Sequence, residues 1–186
     1  MTGKEWEDSV RAMAEALPQS CVFANEPKMR AGYRVEGGTP DLTVLWSGRC
    51  HLVECKLAAG SSVPLGRLVK PESGKPPPGV TWMQAATMTA AEAAGARCWV
   101  AVCLELPDAT IRRLAQQQLA GGGGDVPAVV RRLVPWSIWR PLMELAEAAR
   151  LRGGDVEASI PASELAAMGW PIRTTVELRR ALETRG

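Results

Sequence analysis

Residues 38–56 read GTPDLTVLWSGRCHLVECK, and this stretch decides the fold. Leu42 to Trp46 is an apolar, β-branched run that stops at Ser47-Gly48, and His51 to Leu57 is a second run of alternating character. Together they predict the two antiparallel strands of one hairpin. Side chains alternate faces along a strand, so Glu54 and Lys56 share one face while Val53 and Cys55 share the other. A carboxylate and an amine inside an otherwise apolar strand are costly to bury unless each finds a partner or a metal. Asp41, directly after Pro40, adds a second carboxylate to the same hairpin. Taken alone, an E-x-K triplet is ordinarily a solvated edge-strand pair, and an Asp after Pro only starts a turn. What sets these residues apart is the order of the elements around them.

Upstream, Trp6, Val10, Met13 and Leu17 recur at helical spacing and Pro18 marks a stop, which predicts a helix over Lys4–Leu17 packed on the sheet. At about 100° per residue, Asp8 and Glu15 point away from the apolar stripe, while Glu5 and Glu7 flank it and Glu7 lies nearer. Downstream, Thr81 suits an N-cap, and a helix runs through Gln84 to Ala94 before Gly95 ends it. Arg97 to Leu104 then reads as a buried strand.

In that order, the acidic helix, Pro40-Asp41, Glu54-Cys55-Lys56 and a helical Gln84 resemble the PD-(D/E)xK nuclease superfamily. The GTPD context with Gly37 and Gly38 is most similar to VRR-type nucleases and archaeal Holliday-junction resolvases. The resemblance covers roughly residues 4–105, and because the motif is short its specificity rests on the order of its parts. It implies an α/β, restriction-endonuclease-like core, a central mixed β-sheet flanked by helices. It implies a Mg²⁺-dependent DNA endonuclease, structure-selective like a Holliday-junction resolvase, in phage or bacterial recombination and repair.

The resemblance also implies roles. Asp41, Glu54, the main-chain carbonyl of Cys55 and Glu7, with Glu5 in reserve, would be the hard oxygen ligands that suit Mg²⁺ or Mn²⁺. Lys56 would hold the attacking water or stabilise the pentavalent phosphorus, and Gln84 would approach the scissile phosphate. Resolvase-like nucleases commonly pair two sites across a dimer, so a homodimer is expected. Within the same fold the alternatives are a flap, nick or restriction-like nuclease. Outside the enzyme class, the alternative is a DNA-binding or assembly protein without catalysis.

Composition sets the background. The chain has 186 residues, 46% of them hydrophobic, which is enough for one well-buried domain with an appendage. No signal peptide or membrane span is read from it, and a cytoplasmic setting is expected. Five cysteines, an odd number, suggest a reducing compartment. Cys50/Cys55 and Cys98/Cys103 have a C-x4-C spacing that raises zinc, but strand parity turns the members of each pair to opposite faces and His51 is the only histidine. Zinc is therefore the lesser reading. No Ser/His/Asp arrangement competes with the carboxylates, and parity turns His51 away from Glu54, which makes it structural.

A net charge of +2 does not announce a nucleic-acid binder, so a nuclease must gather its basic groups on one face. The candidates are Lys28, Arg30 and Arg34 before the Pro-Asp pair, and Arg67, Lys70 and Lys75 in a Pro/Gly-rich loop over residues 61–80. That loop reads equally as an arm that orders on DNA or as a disordered insertion. The glycine run at 121–124 marks a boundary between a nuclease core, residues 1–120, and a mainly helical extension, residues 121–186. The extension is expected to serve packing, dimerisation or DNA contact. In it a helix is predicted from Pro141 to Leu151, with Leu142, Leu145, Ala146 and Ala149 on one face. Two short helices, Ser163–Met168 and Thr174–Glu183, follow about a turn at Gly169. A helix-turn-helix is one reading of them; packing on the core or on a partner, favoured by Trp136, Trp139 and Trp170, is the stronger.

Overall fold

The structure is a computed structural model that describes residues 1–25, 29–30, 33–34, 38–70, 78–121, 127–153 and 158–184. In chain order the elements are α1 (Gly3–Glu15), β1 (Cys21–Ala24), β2 (Met29–Arg30), β3 (Tyr33–Arg34), β4 (Leu42–Trp46), β5 (Arg49–Ala59) and β6 (Ser62–Pro64). There follow α2 (Trp82–Ala93), β7 (Arg97–Glu105), α3 (Asp108–Gly121), β8 (Val129–Pro135), α4 (Trp136–Leu151), β9 (Ser159–Pro161), α5 (Ala162–Ala167), β10 (Trp170–Pro171) and α6 (Thr175–Glu183).

The hairpin of residues 38–56 forms as read. Ser47 and Gly48 both take left-handed conformations, φ 51° and 70°, the signature of a two-residue type I′ turn, and Trp46 pairs with Arg49 directly beyond it. The central sheet has the order β1-β4-β5-β7-β8-β10. It is mixed, because β5 and β7 are parallel while the other neighbours are antiparallel. A parallel pair needs a crossover, and α2 lies on that connection. Helices cover both faces. Trp6 and Val10 of α1 and Leu178 of α6 pack with Val53, Trp99 and Ala101 on one side. Met88 of α2 and Trp136, Trp139 and Met143 of α4 pack with Val100 and Val102 on the other. β7, at the centre, is therefore apolar on both faces, as a doubly covered strand must be.

The C-terminal part is woven into this layered core. The expected boundary falls at the end of α3, and residues 122–126 lie outside the described residues. Beyond them β8 pairs with β7 along its whole length, β10 pairs with β8, and both cores contain residues from the two sides of the break. Among the described residues the extension thus carries three strands besides its helices.

Two local expectations are corrected. The fourth helix starts at Trp136, five residues before Pro141, and the proline sits inside it. An interior proline costs about 3 kcal/mol. Burial of Trp136, Trp139 and Met143 on one stripe offsets that cost, and the stripe rotates the helix so that Leu145 is 68% exposed. The two short C-terminal helices do not form a helix-turn-helix, because β10 stands between them in the sheet and α6 buries Leu178, Ala181 and Leu182. Among the described residues no helix is long and apolar enough to cross a membrane.

Candidate active site

β5 carries Glu54 and Lys56 on the face covered by α2, and the β4–β5 register sets Asp41 beside them, since Leu42 pairs with Val53. Three hydrogen bonds from Asn25 hold the Asp41 turn. Its backbone N–H donates to the Asp41 carbonyl at 2.7 Å, and its amide donates to the Pro40 carbonyl at 2.7 Å and to the Thr43 hydroxyl at 3.0 Å. The Cys55 N–H donates to Asp41 Oδ2 at 2.8 Å, which locks the carboxylate to the strand that carries Glu54.

Gln84 reaches this strand from the first turn of α2. Its Nε2 donates to Glu54 Oε1 at 2.7 Å, and its Oε1 accepts from Lys56 Nζ at 3.4 Å. Lys56 Nζ also lies 2.6 Å from Glu54 Oε1, closing a three-membered network. Thr81 caps the helix, and Gln84 returns bonds to the Thr81 N–H and hydroxyl, so a capping box aims the glutamine at Glu54. Gly38 makes room for the GTPD turn against this helix: a Cβ there would stand 2.8 Å from the Met83 carbonyl oxygen.

The electrostatics are those of crowded carboxylates. Glu54 is 1% exposed, and Oε2 has no hydrogen-bond partner among the described residues. Burial pushes its pKa up to about 7, with Lys56 opposing the rise and Asp41 adding to it. Burial likewise raises Asp41, against the Cys55 hydrogen bond and Lys56, and Glu7 pushes it further up. The Cys55 thiol is held well above its usual range, by burial first and then by Asp41, Glu54 and Glu7, so it is no nucleophile. These effects separate the two helical carboxylates. Glu5 is spent on the α1 capping box with Thr2. Glu7, 21% exposed and bonded to Lys4 at 2.8 Å, is the one that acts on Asp41.

The structure thus brings together Asp41, Glu54, Lys56 and Gln84, with Glu7 in electrostatic reach. Among the described residues no three His, Cys, Asp or Glu side chains are disposed to hold a metal ion together. What the site offers a cation is Glu54 Oε2, buried and unpartnered, beside a second carboxylate. The residues missed in the sequence are Asn25, which no local pattern marks, and Gly38 in its packing role. The T-x-x-Q spacing of Thr81 and Gln84 was a readable signal for the capping box.

The expected DNA-contact residues fare differently. Arg67 is engaged inside the protein, its Nε and Nη2 each donating to Glu147 at 3.3 Å. Lys70 is exposed. Lys28 and Lys75 lie outside the described residues, as do the side chains of Arg30 and Arg34, whose backbones form β2 and β3. His51 points to the other face, is fully buried, and accepts the Trp99 indole N–H at 3.2 Å through Nδ1. Burial lowers its pKa to about 4, helped by Arg97 and Arg49. Cys98 and Cys103 lie in opposite cores, and all five cysteines are free. No protein-family model and no curated protein matches the chain.

Proposed function

We propose that the protein is a divalent-metal-dependent DNA nuclease built on a restriction-endonuclease-like core. The observation that carries the reading is the network of Glu54, Lys56 and Gln84, assembled from a strand and a helix next to Asp41. A solvated edge-strand pair needs no buried carboxylate, no second carboxylate fixed to the same strand and no capped glutamine directed at both. The buried, unpartnered Glu54 Oε2 beside the Asp41 carboxylate suits Mg²⁺ or Mn²⁺ with two hard oxygen donors, and the Cys55 carbonyl and Glu7 are the further ligands that the resemblance implies. When bound, the ion supplies Lewis acidity at the phosphate and lowers the pKa of water.

The chain's own residues do the rest. Lys56, 19% exposed, is fixed by Glu54 and Gln84 as a point charge where the phosphorus gains negative charge. Gln84 holds the carboxylate and the amine in one geometry, so neither reorganises during reaction. Asp41 is kept in place by the Cys55 amide. The recombination setting and the homodimer belong to the resemblance and are part of this proposal; the four-way junction and the flap are the two substrates of this fold that the cleavage test separates.

The test is cleavage of labelled four-way junction, flap, single-stranded and linear duplex DNA with Mg²⁺, Mn²⁺ or EDTA. Metal-dependent hydrolysis by the native chain, lost in Asp41→Asn and Lys56→Ala variants that still fold, is the expected result. DNA binding without cleavage of any substrate would make the protein a binding module and refute the reading.

A further inference from the structure

Next to the catalytic network lies a cavity of about 360 Å³ that neither the resemblance nor the network accounts for. Lys56 opens into it, and its floor continues along β5 through Leu57 to Ala59. Ser62 to Pro64 and Ser159 form one wall, and Pro78 and Gly79 another.

The walls are tied to one another. β6 pairs with β9, and the Leu65 N–H donates to the Ala158 carbonyl at 2.9 Å. The returning segment is bonded to the same stretch: the Val80 N–H donates to the Leu65 carbonyl at 3.3 Å, and the Arg67 N–H donates to the Val80 carbonyl at 3.1 Å. The two ends of the 61–80 loop are therefore bonded to each other at residues 65, 67 and 80.

Resting on the nuclease reading, we propose that this cavity takes one unpaired nucleotide of the DNA strand being cut, with its phosphate at Lys56 and its sugar and base along the β5 floor. Size argues for this, because small-molecule sites span about 300–1,000 Å³ and the cavity lies at the low end. The cavity matches the bulk of a single nucleotide. Widening it would break the backbone bonds that join β6, β9 and residue 80. The lining suits the ligand: Ala58, Pro64 and Pro78 offer apolar surface to a base, while Ser62 and Ser159 offer hydroxyls to its edge. Among branched substrates, a strand with an unpaired end or flap is thereby selected over a fully paired four-way junction.

The experiment has two arms. In EDTA, fluorescence anisotropy compares binding of labelled dT8 to the native chain, Ser159→Trp and Ser159→Ala. Ser159 is exposed on the ribbon, so the tryptophan fills the cavity without entering the core. The expected result is binding at least about tenfold weaker for the tryptophan variant, and a loss of no more than about threefold for the alanine variant, which gives up one hydroxyl but leaves the cavity open. With Mg²⁺ or Mn²⁺, the native chain is given duplex with a single-stranded tail, blunt duplex and a paired four-way junction. Cleavage of the tailed substrate at least about tenfold faster than either other is expected. Equal dT8 binding by native and Ser159→Trp proteins, or a junction cut as fast as the tail, overturns the proposal. Absence of all cleavage together with weakened dT8 binding in Ser159→Trp overturns the nuclease reading while upholding the cavity as a nucleotide site.

Discussion

Stability of the metal-free protein should respond to acid through two buried groups that act in opposite directions. His51 has its pKa lowered from 6.5 to about 4, so between these values the unfolded chain binds a proton that the folded one does not. Its contribution is intact above pH 6.5 and is lost as pH falls towards 4. Glu54 has its pKa raised from 4.5 to about 7, so across that window the folded chain holds a proton that the unfolded one has released. Its contribution is fully present below pH 4.5 and is lost as pH rises through 7. At about 1.4 kcal/mol per pH unit of displacement, each effect is about 3 kcal/mol, and the two nearly cancel. Asp41, also raised by burial, acts in the sense of Glu54 at the acid end.

Removing either group therefore exposes the other. His51→Gln, which keeps an acceptor for the Trp99 indole, should gain about 3 kcal/mol relative to native on going from pH 8 to pH 4.5. Glu54→Gln should be more stable than native at pH 8 and lose that advantage by about the same amount over the same interval. Urea unfolding followed by tryptophan fluorescence in EDTA at several pH values reads both slopes. If the two variants keep the native pH dependence, the argument from burial at these sites is wrong.

Four further outcomes follow from the geometry. Lys56→Ala should lower metal-dependent cleavage at saturating DNA by about 10²–10³-fold, read by single-turnover kinetics; an unaltered rate would remove the amine from the chemistry. Gln84→Ala should lose both catalytic contacts and half of the capping box, destabilising by about 1 kcal/mol in urea and slowing cleavage more than Thr81→Ala does; equal rates in the two variants would make Gln84 a cap alone. Gly38→Ala should cost about 1–3 kcal/mol in thermal unfolding through its collision with Met83, and slow cleavage by displacing Asp41; a native melting temperature would disprove the close approach. Arg67→Ala should weaken folding by about 1–3 kcal/mol, because among the described residues Glu147 then keeps Arg150 alone, and leave DNA affinity unchanged; a fall in affinity without loss of stability would return Arg67 to the DNA face.

Much of the Asp41, Glu54 and Lys56 layout was readable because it depends on local periodicity. Alternation along β4 and β5, a turn dipeptide at residues 47–48 and a capping pair at 81 and 84 each act within a few residues. The missed elements gain their stability from distant partners. β8 carries Arg131 and Arg132 in mid-strand, which weakens its apolar pattern. Arg131 stacks over the Trp6 ring at 5.8 Å and Arg132 donates to the Ala166 carbonyl, contacts that only the folded chain supplies. β9 and β10, of three and two residues, exist only through pairing with β6 and β8. Likewise, Gln84 meets Glu54 across a crossover, and Asn25 meets the Pro40-Asp41 turn across a strand pairing. Each lone residue is ordinary, and topology makes the site.

The pairing of β6 with β9 joins residues 62–64 to residues 159–161, about half the length of the chain apart. During synthesis, α1 through β7 can emerge and bring Asp41, Glu54, Lys56 and Gln84 together before residue 159 has been made. The cavity wall cannot form until the last quarter of the chain has left the ribosome. A nascent or prematurely terminated chain would then carry the charged network without the wall beside it. Completion of translation thus becomes the step that sets the cavity wall beside the charged cluster, and long-range closure of this kind belongs to the slow phase of folding.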